Sequence, residues 1–173
     1  MRLALCLVTR LAVAGLAIPC GGMPAWADPG DKAGWSIGTD PRKRVFLHYV
    51  AEKDGPRELT LACLRDVDSF DVYTAGLFPK RPDGEATLTL RSGGGSVDVS
   101  GSVAAGDDGA TSRFESNTDL DAATRKALRA SLLPMLGGAG PIQLKLGTRE
   151  IVLAPSGPPA AAIKRFDSIC FGK

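Results

Sequence analysis

The sequence contains few of the residues on which most enzymes rely. His48 is its only histidine, so zinc motifs with two histidines are excluded and any Ser-His-Asp triad would have to use this residue. The chain also lacks the G-x-S-x-G pattern of serine hydrolases and the G-x-x-x-x-G-K-S/T pattern of phosphate-binding loops. We therefore assign no catalytic residue, no metal ligand and no cofactor from sequence motifs.

An excess of positive charge is also missing once the first 27 residues are set aside. The whole chain has 21 Lys and Arg against 19 Asp and Glu, but Arg2 and Arg10 lie in that stretch, which leaves 19 of each sign. The longest basic cluster is Arg42-Lys43-Arg44. A nucleic-acid partner is not expected, because binding to phosphates needs a basic stripe.

Residues 1–27 have the features of a secretory signal peptide. An early arginine precedes an apolar run over residues 3–18, and an A-x-A site at residues 25–27 predicts cleavage before Asp28. The alternatives are a membrane anchor and a lipoprotein acylated at Cys20. No later segment has the ~20 consecutive apolar residues that a transmembrane span needs. We predict that the protein is periplasmic or secreted.

Cysteine is scarce, and half of it lies in the predicted leader. Removal of Cys6 and Cys20 with the leader leaves Cys63 and Cys170 as the only possible partners of each other. An exported protein meets an oxidising compartment, so this pair predicts a disulfide; the alternative is a free reactive thiol. In the chain-entropy model, closing so long a loop removes roughly 4–5 kcal/mol of unfolded-state entropy.

The remaining chain predicts one β-rich domain over residues 45–173, preceded by an irregular entry segment over residues 28–44. The entry segment is rich in glycine and proline, whereas residues 45–65 carry apolar side chains on both faces, as in a hairpin covered on both sides. A half-buried hairpin is predicted over residues 86–103, where leucine and valine alternate with polar residues. A last hairpin is predicted over residues 142–153.

Two predicted helices interrupt the strands. Apolar residues recur at helical spacing over residues 120–135, and Pro134 should end or kink that helix, because it cannot donate to the carbonyl four residues back. Ile163, Phe166 and Cys170 share one face of a short second helix. The predicted fold class is mainly β (α+β): an antiparallel β-sandwich or partly open barrel of about seven to nine strands, with one inserted helix and a C-terminal helix.

Isolated polar side chains carry the remaining chemical hypotheses. His48 is predicted to be a strand residue with a satisfied imidazole, and the alternative is a hydrolase in which it acts as a base. Asp66, Asp68 and Asp71 form the densest acidic group, but their spacing does not match a calcium loop, so we expect a solvated loop there. A glycosidase-type pair of carboxylates would converge only in the folded chain.

Two segments carry a resemblance to known proteins: LACLRD around Cys63 and AAIKRFDSIC near the C-terminal end. Together with the leader, the early Trp35 and the regular hairpins, they resemble the invasion-associated locus B family and the VasI-like accessory proteins of type VI secretion. The resemblance implies a disulfide-bearing, mostly β periplasmic domain without a catalytic motif. Invasion-associated proteins usually carry further cysteines, which this chain lacks, and we transfer no functional residue.

These observations predict a non-enzymatic periplasmic binding or envelope-accessory protein. Leu77, Phe78 and Pro79 lie in a predicted loop over residues 76–84, and apolar residues in an exposed loop are candidates for contact with a partner. The expected partner is an envelope protein or a cell-wall component. The alternatives are a hydrolase that uses His48 or a carboxylate pair, and an inhibitor of a cell-wall enzyme.

Overall fold

The structure, a computed structural model, describes residues 32–172. The predicted leader and its cleavage site lie outside these residues. Within them, nine strands and two helices follow one another along the chain. In order, they are β1 Gly34–Thr39, β2 Arg44–Val50, β3 Arg57–Leu64, β4 Ser69–Pro79, β5 Gly84–Ser92, β6 Gly95–Ala105, β7 Thr111–Asp119, α1 Ala122–Gly137, β8 Ile142–Leu146, β9 Arg149–Ala154 and α2 Ala160–Cys170.

All nine strands belong to one antiparallel sheet with the order β1-β2-β3-β4-β7-β6-β5-β8-β9. Strands make up 51% of the described residues and curl into a nearly closed, barrel-like form, which confirms the mainly β fold class with one inserted and one C-terminal helix. The first strand meets the segment after the last one at what we call the seam. There, Nε1 of Trp35 donates to the carbonyl of Ser156 at 2.9 Å.

Residues 34–39 form strand β1, where the sequence predicted an irregular segment over residues 28–44. This strand pairs with β2 along its whole length. Gly34 starts it with a φ of 102°, a conformation that glycine adopts without strain, and the side chains of Trp35 and Ile37 pack against the core. Pairing and burial have therefore outweighed the weak strand propensity of a glycine-containing segment.

The inner face of the sheet carries the alternating apolar residues of the predicted hairpins. In the β2–β3 hairpin, Val45 pairs with Cys63 and Leu47 pairs with Leu61, and all four side chains are fully buried. The β5–β6 and β8–β9 hairpins add further buried residues in the same way: Leu88, Leu90, Val97, Val99, Val103, Leu144 and Leu146. Full burial of such a side chain contributes about 1.5–3 kcal/mol, so this alternation stabilises the fold strongly.

Helix α1 begins after β7, where the carboxylate of Asp121 accepts the N–H of Thr124 at 2.7 Å and caps the first turn. Of the two effects expected of Pro134, an end or a kink, the end does not occur, because the helix continues through it to Gly137. A proline inside a helix removes one backbone hydrogen bond and costs about 3 kcal/mol. The turns around it bury three apolar side chains, which offsets this cost: Leu132, Met135 and Leu136.

The C-terminal end of α1 lies against the β5–β6 turn at Gly93 and Gly94. The N–H of Gly93 donates to the carbonyl of Ala139 at 3.1 Å. A Cβ atom on Gly94 would collide with the carbonyl of Pro134, so the close approach of turn and helix requires glycine there. Helix α1 therefore spans the space between the end of β7 and the β5–β6 turn.

Helix α2 is tied to the sheet by the predicted disulfide. Cys63 in β3 is bonded to Cys170 in the last turn of α2, with their Cα atoms 5.5 Å apart, and both residues are fully buried. Arg65 and Arg125 donate to the carbonyl of Cys170 at 3.4 and 2.9 Å. The last carbonyls of a helix have no partner within it, so these arginines supply the missing donors. Within residues 32–172, neither helix combines the length and apolar character needed to cross a bilayer.

Candidate functional site

The sheet opens between β6 and β7. These strands pair from Ala105 opposite Ser112 to Ser102 opposite Glu115, and the ladder ends there. In the part of the chain that the structure describes, the N-terminal half of β6 then pairs with β5 alone, and the C-terminal half of β7 with β4 alone. The space between them is a groove of about 800 Å³, which we call the split groove. It is lined by Glu85, Ala86, Thr87, Ser100, Gly101, Ser102, Glu115, Ser116 and Asn117.

Gly101 is the residue at which β6 leaves β7. A Cβ atom at this position would lie 2.6 Å from the ring of Phe114 and would also collide with the carbonyl of Glu115. Glycine inside a strand is typical of a bend or of a close approach between backbones, and here it permits the close approach to β7. Together with Ala86 and Ser116, Gly101 gives the groove a floor of small residues.

The walls of the split groove are polar. Hydroxyl and amide groups are contributed by exposed residues of three strands: Thr87, Ser100, Ser102 and Asn117. Glu85 and Glu115 stand on either side of Ser102 in the strand register, which separates their backbones by roughly 10 Å. Among residues 32–172, the lining includes these two carboxylates and no cationic side chain. The groove therefore offers many hydrogen-bond acceptors to a ligand.

Further charged groups border the groove on β7 and β4. Glu115 forms an ion pair with Arg113, in which Oε1 of the glutamate lies 2.8 Å from Nε of the arginine. The geometry is not that of a hydrogen bond, because the Nε–H group does not point at the carboxylate. Asp71 accepts hydrogen bonds from the amide of Asn117 at 2.8 Å and from the hydroxyl of Ser69 at 3.1 Å. Burial raises the pKa of Asp71 above its ordinary value, because desolvation of the carboxylate outweighs these two bonds.

The predicted binding residues Leu77, Phe78 and Pro79 do not lie in a loop. They are the last residues of β4, and Phe78 is fully buried in the core. The register between β4 and β7 shifts between Thr74 and Phe78, so a bulge around Gly76 allows the strand to resume. The structure thus contradicts an exposed contact loop at Phe78, because its ring is enclosed by the protein itself.

His48 lies on the outer face of β2 and is only 7% exposed. Its Nδ1 atom is 2.9 Å from the hydroxyl of Thr60, its neighbour across the hairpin, and its ring stacks on Phe46 with centroids 5.8 Å apart. These contacts fit a hydrogen-bonded strand histidine. A general base must lie within reach of its substrate, and the fold does not bring His48 to the split groove. The carboxylates that it does bring there are Glu85 and Glu115.

The three clustered aspartates have separate partners in the structure. Asp66 accepts a hydrogen bond from Arg44 at 2.9 Å, Asp68 pairs with Arg125 at 2.8 Å, and Asp71 faces the groove border. In the described range, no group of three or more His, Cys, Asp or Glu residues is arranged to hold a metal ion.

The sequence offered one signal for the split groove. Gly101 interrupts a strand in which valine otherwise alternates with polar residues from Val97 to Val103. Such a glycine predicts a bend, but it does not identify the neighbouring strand that separates there, because β7 is not the hairpin partner of that segment. Comparisons of the chain with protein-family models, with curated proteins and with solved structures find no match.

Proposed function

We propose that the protein is an exported, non-enzymatic binding module that holds a component of the bacterial envelope in the split groove. The observation that carries this proposal is the end of the β6–β7 ladder at Ser102, which leaves a polar groove of about 800 Å³. Clefts of this volume are in the range of known ligand sites. The predicted leader and the Cys63–Cys170 disulfide support export to an oxidising compartment.

The chemistry of the lining supports binding. Hydroxyl, amide and carboxylate groups can fix the orientation of a ligand that carries many hydrogen-bond donors. The only histidine of the chain lies on β2, away from these groups. We accordingly assign partner contact to the split groove instead of to Leu77, Phe78 and Pro79.

Site-specific photo-crosslinking in intact cells tests this proposal. A photoreactive amino acid at Ser100 would project into the groove. At Ser96, four residues away on the same exposed face of β6, it would project into solvent outside the groove, which provides a matched control.

We expect defined adducts with an envelope protein or with a cell-wall fragment from position 100, and none from position 96. A cell-wall enzyme among the adducts would favour the alternative role of an inhibitor. Identical adducts from both positions, or no adduct from position 100, would contradict binding in the split groove.

A further inference from the structure

Two backbone hydrogen bonds define which groups of β6 and β7 face the split groove. In an antiparallel sheet, successive residues direct their N–H and C=O groups alternately to one neighbouring strand and to the other. The N–H of Gly106 donates to the carbonyl of Thr111 at 2.9 Å, and the N–H of Leu120 donates to the carbonyl of Asp68 at 2.7 Å. It follows from these bonds that even-numbered residues of β6 face β7, and odd-numbered residues of β7 face β6.

The first missing pair of the ladder is therefore Ser100 with Asn117. The last formed pair is Ser102 with Glu115, and the next two residues whose backbone groups point at each other are Ser100 and Asn117. The ladder has already ended at this level, because no strand pair follows Ser102 and Glu115. The N–H and C=O groups of Ser100 and Asn117 are thus directed into the split groove, where a ligand can bond to them.

We propose that the split groove binds an extended peptide segment, whose backbone bonds to the open strand edges at Ser100 and Asn117. This inference rests on the proposed function and specifies its ligand class. An extended peptide carries N–H and C=O groups at the same repeat as a strand edge, about 3.3 Å per residue, so it can continue a ladder that the protein leaves unfinished. A polysaccharide has no such repeat.

Charge specifies the peptide further. Glu85 and Glu115 flank the groove. Arg113 pairs with Glu115 from the border, so among the described residues Glu85 is the groove carboxylate without an ion pair. A lysine side chain of a bound peptide would be attracted to the carboxylate of Glu85, whereas an acidic side chain would be repelled. The expected ligand is therefore an extended segment that carries an amine, as a basic peptide does.

Titration of the isotope-labelled full chain by NMR tests the ligand class. The probe is an acetylated and amidated hexapeptide of alternating threonine and valine, with lysine at the third position. Three matched probes accompany it: the same peptide with glutamate in place of lysine, the same peptide with alternate backbone amides N-methylated, and a tetramer of N-acetylglucosamine. The amide signals of Ser100 and Asn117 report binding at the missing pair of the ladder, and the amide signal of Ser96 is the reference.

We expect the lysine peptide to shift the signals of Ser100 and Asn117, to bind at least fivefold more tightly than the glutamate peptide, and to lose at least tenfold in affinity when N-methylated. Glu85→Gln should reduce the preference for lysine. Glu150→Gln, an equivalent change at an exposed position of β9 outside the groove, should leave it unchanged.

Several results would overturn the inference while leaving the proposed function intact. These are binding of the sugar tetramer at the groove without binding of the peptide, binding of the peptide that is insensitive to N-methylation, and adducts from position 100 without any peptide binding. If position 100 forms no adduct and none of the four probes shifts Ser100 or Asn117, both the inference and the proposed function fail.

Discussion

The junction between β3 and α2 and the junction between β6 and β7 are held in opposite ways. The first is closed by the Cys63–Cys170 disulfide and by arginine side chains on the last carbonyls of α2. The second is held by four residue pairs, after which the strands separate. The protein thus places its covalent constraint on β3 and α2, whereas the proposed binding surface is lined by β5, β6 and β7. A groove held only by local strand pairing can be altered without loss of the anchor that keeps the fold together.

Among the changes that test this difference between the two junctions, removal of the disulfide should have the largest effect on the free energy of unfolding. With Cys63→Ala and Cys170→Ala combined, we expect the free energy of unfolding to fall by about 4–5 kcal/mol in the chain-entropy model, because the bond joins residues 107 positions apart. Chemical denaturation at neutral pH measures the change. Below the unfolding transition, photo-crosslinking from position 100 should persist, because the groove does not depend on the bond.

Reductant provides the control for this double variant. The natural chain should lose stability when it is refolded with a thiol reductant, whereas the double variant should not respond. If the variant unfolded at the same denaturant concentration as the natural chain, the disulfide would not be the main constraint on α2.

Gly101→Ala should have an intermediate effect, confined to the open junction. The added methyl group would meet the ring of Phe114 and the backbone of β7, and overpacking of this kind costs about 1–3 kcal/mol. The shift of strand β6 should also reduce the adducts from position 100 in the crosslinking experiment. Ser102→Ala, an exposed change one residue away, should alter the free energy of unfolding by less than about 0.5 kcal/mol. Equal costs for the two variants would show that close packing at Gly101 does not set the geometry of the groove.

Asp71→Asn should have the smallest effect, visible in the pH dependence of stability. Because folding raises the pKa of Asp71, the folded protein holds this proton more tightly than the unfolded chain. Its contribution to stability is therefore fully present below the ordinary value of 3.8, and it is lost as the pH rises through the raised pKa of the folded state. Asparagine keeps an acceptor for Ser69 and Asn117 but carries no charge, so this pH dependence should disappear.

Denaturant unfolding of the natural chain and of the Asp71→Asn variant between pH 3 and pH 7 measures this difference. The variant should gain stability relative to the natural chain as the pH rises. Asp98→Asn, on the outer face of β6, controls for the change in net charge. A constant difference between Asp71→Asn and the natural chain across this range would show that burial of the carboxylate does not influence folding.

The sequence predicted those parts of the fold that depend on neighbouring segments of the chain. The hairpin of β5 and β6 follows from strict alternation around Val97 and Val99, and its register is set locally by a short turn. The disulfide followed from the removal of two cysteines with the leader. Pairing between β1 and β2 was missed because Gly34 and Gly38 weaken the strand pattern, while the contacts that stabilise this strand come from its neighbour.

The parts that were missed depend on contacts between distant segments. Phe78 lies between Gly76 and Pro79, two residues that are typical of turns. In the structure, however, Phe78 pairs with Ser112 on β7, so the segment belongs to the sheet. The split groove likewise depends on the position at which the pairing of β6 with β7 ends, and no local sequence pattern encodes that position. The sequence led to the prediction of a binding protein, but no local pattern in it located the proposed binding surface.

The seam gives the barrel an optical reporter. Trp35 is the one tryptophan that remains if the leader is cleaved, since the other, Trp26, belongs to it. Its indole N–H bonds to Ser156, and its ring centroid lies 5.2 Å from that of Tyr49. The emission of this indole therefore follows the joining of the first strand to the end of the last. A ligand bound at the proposed site would lie on other strands, β5, β6 and β7, so its binding and the closure of the seam could be recorded independently in the same sample.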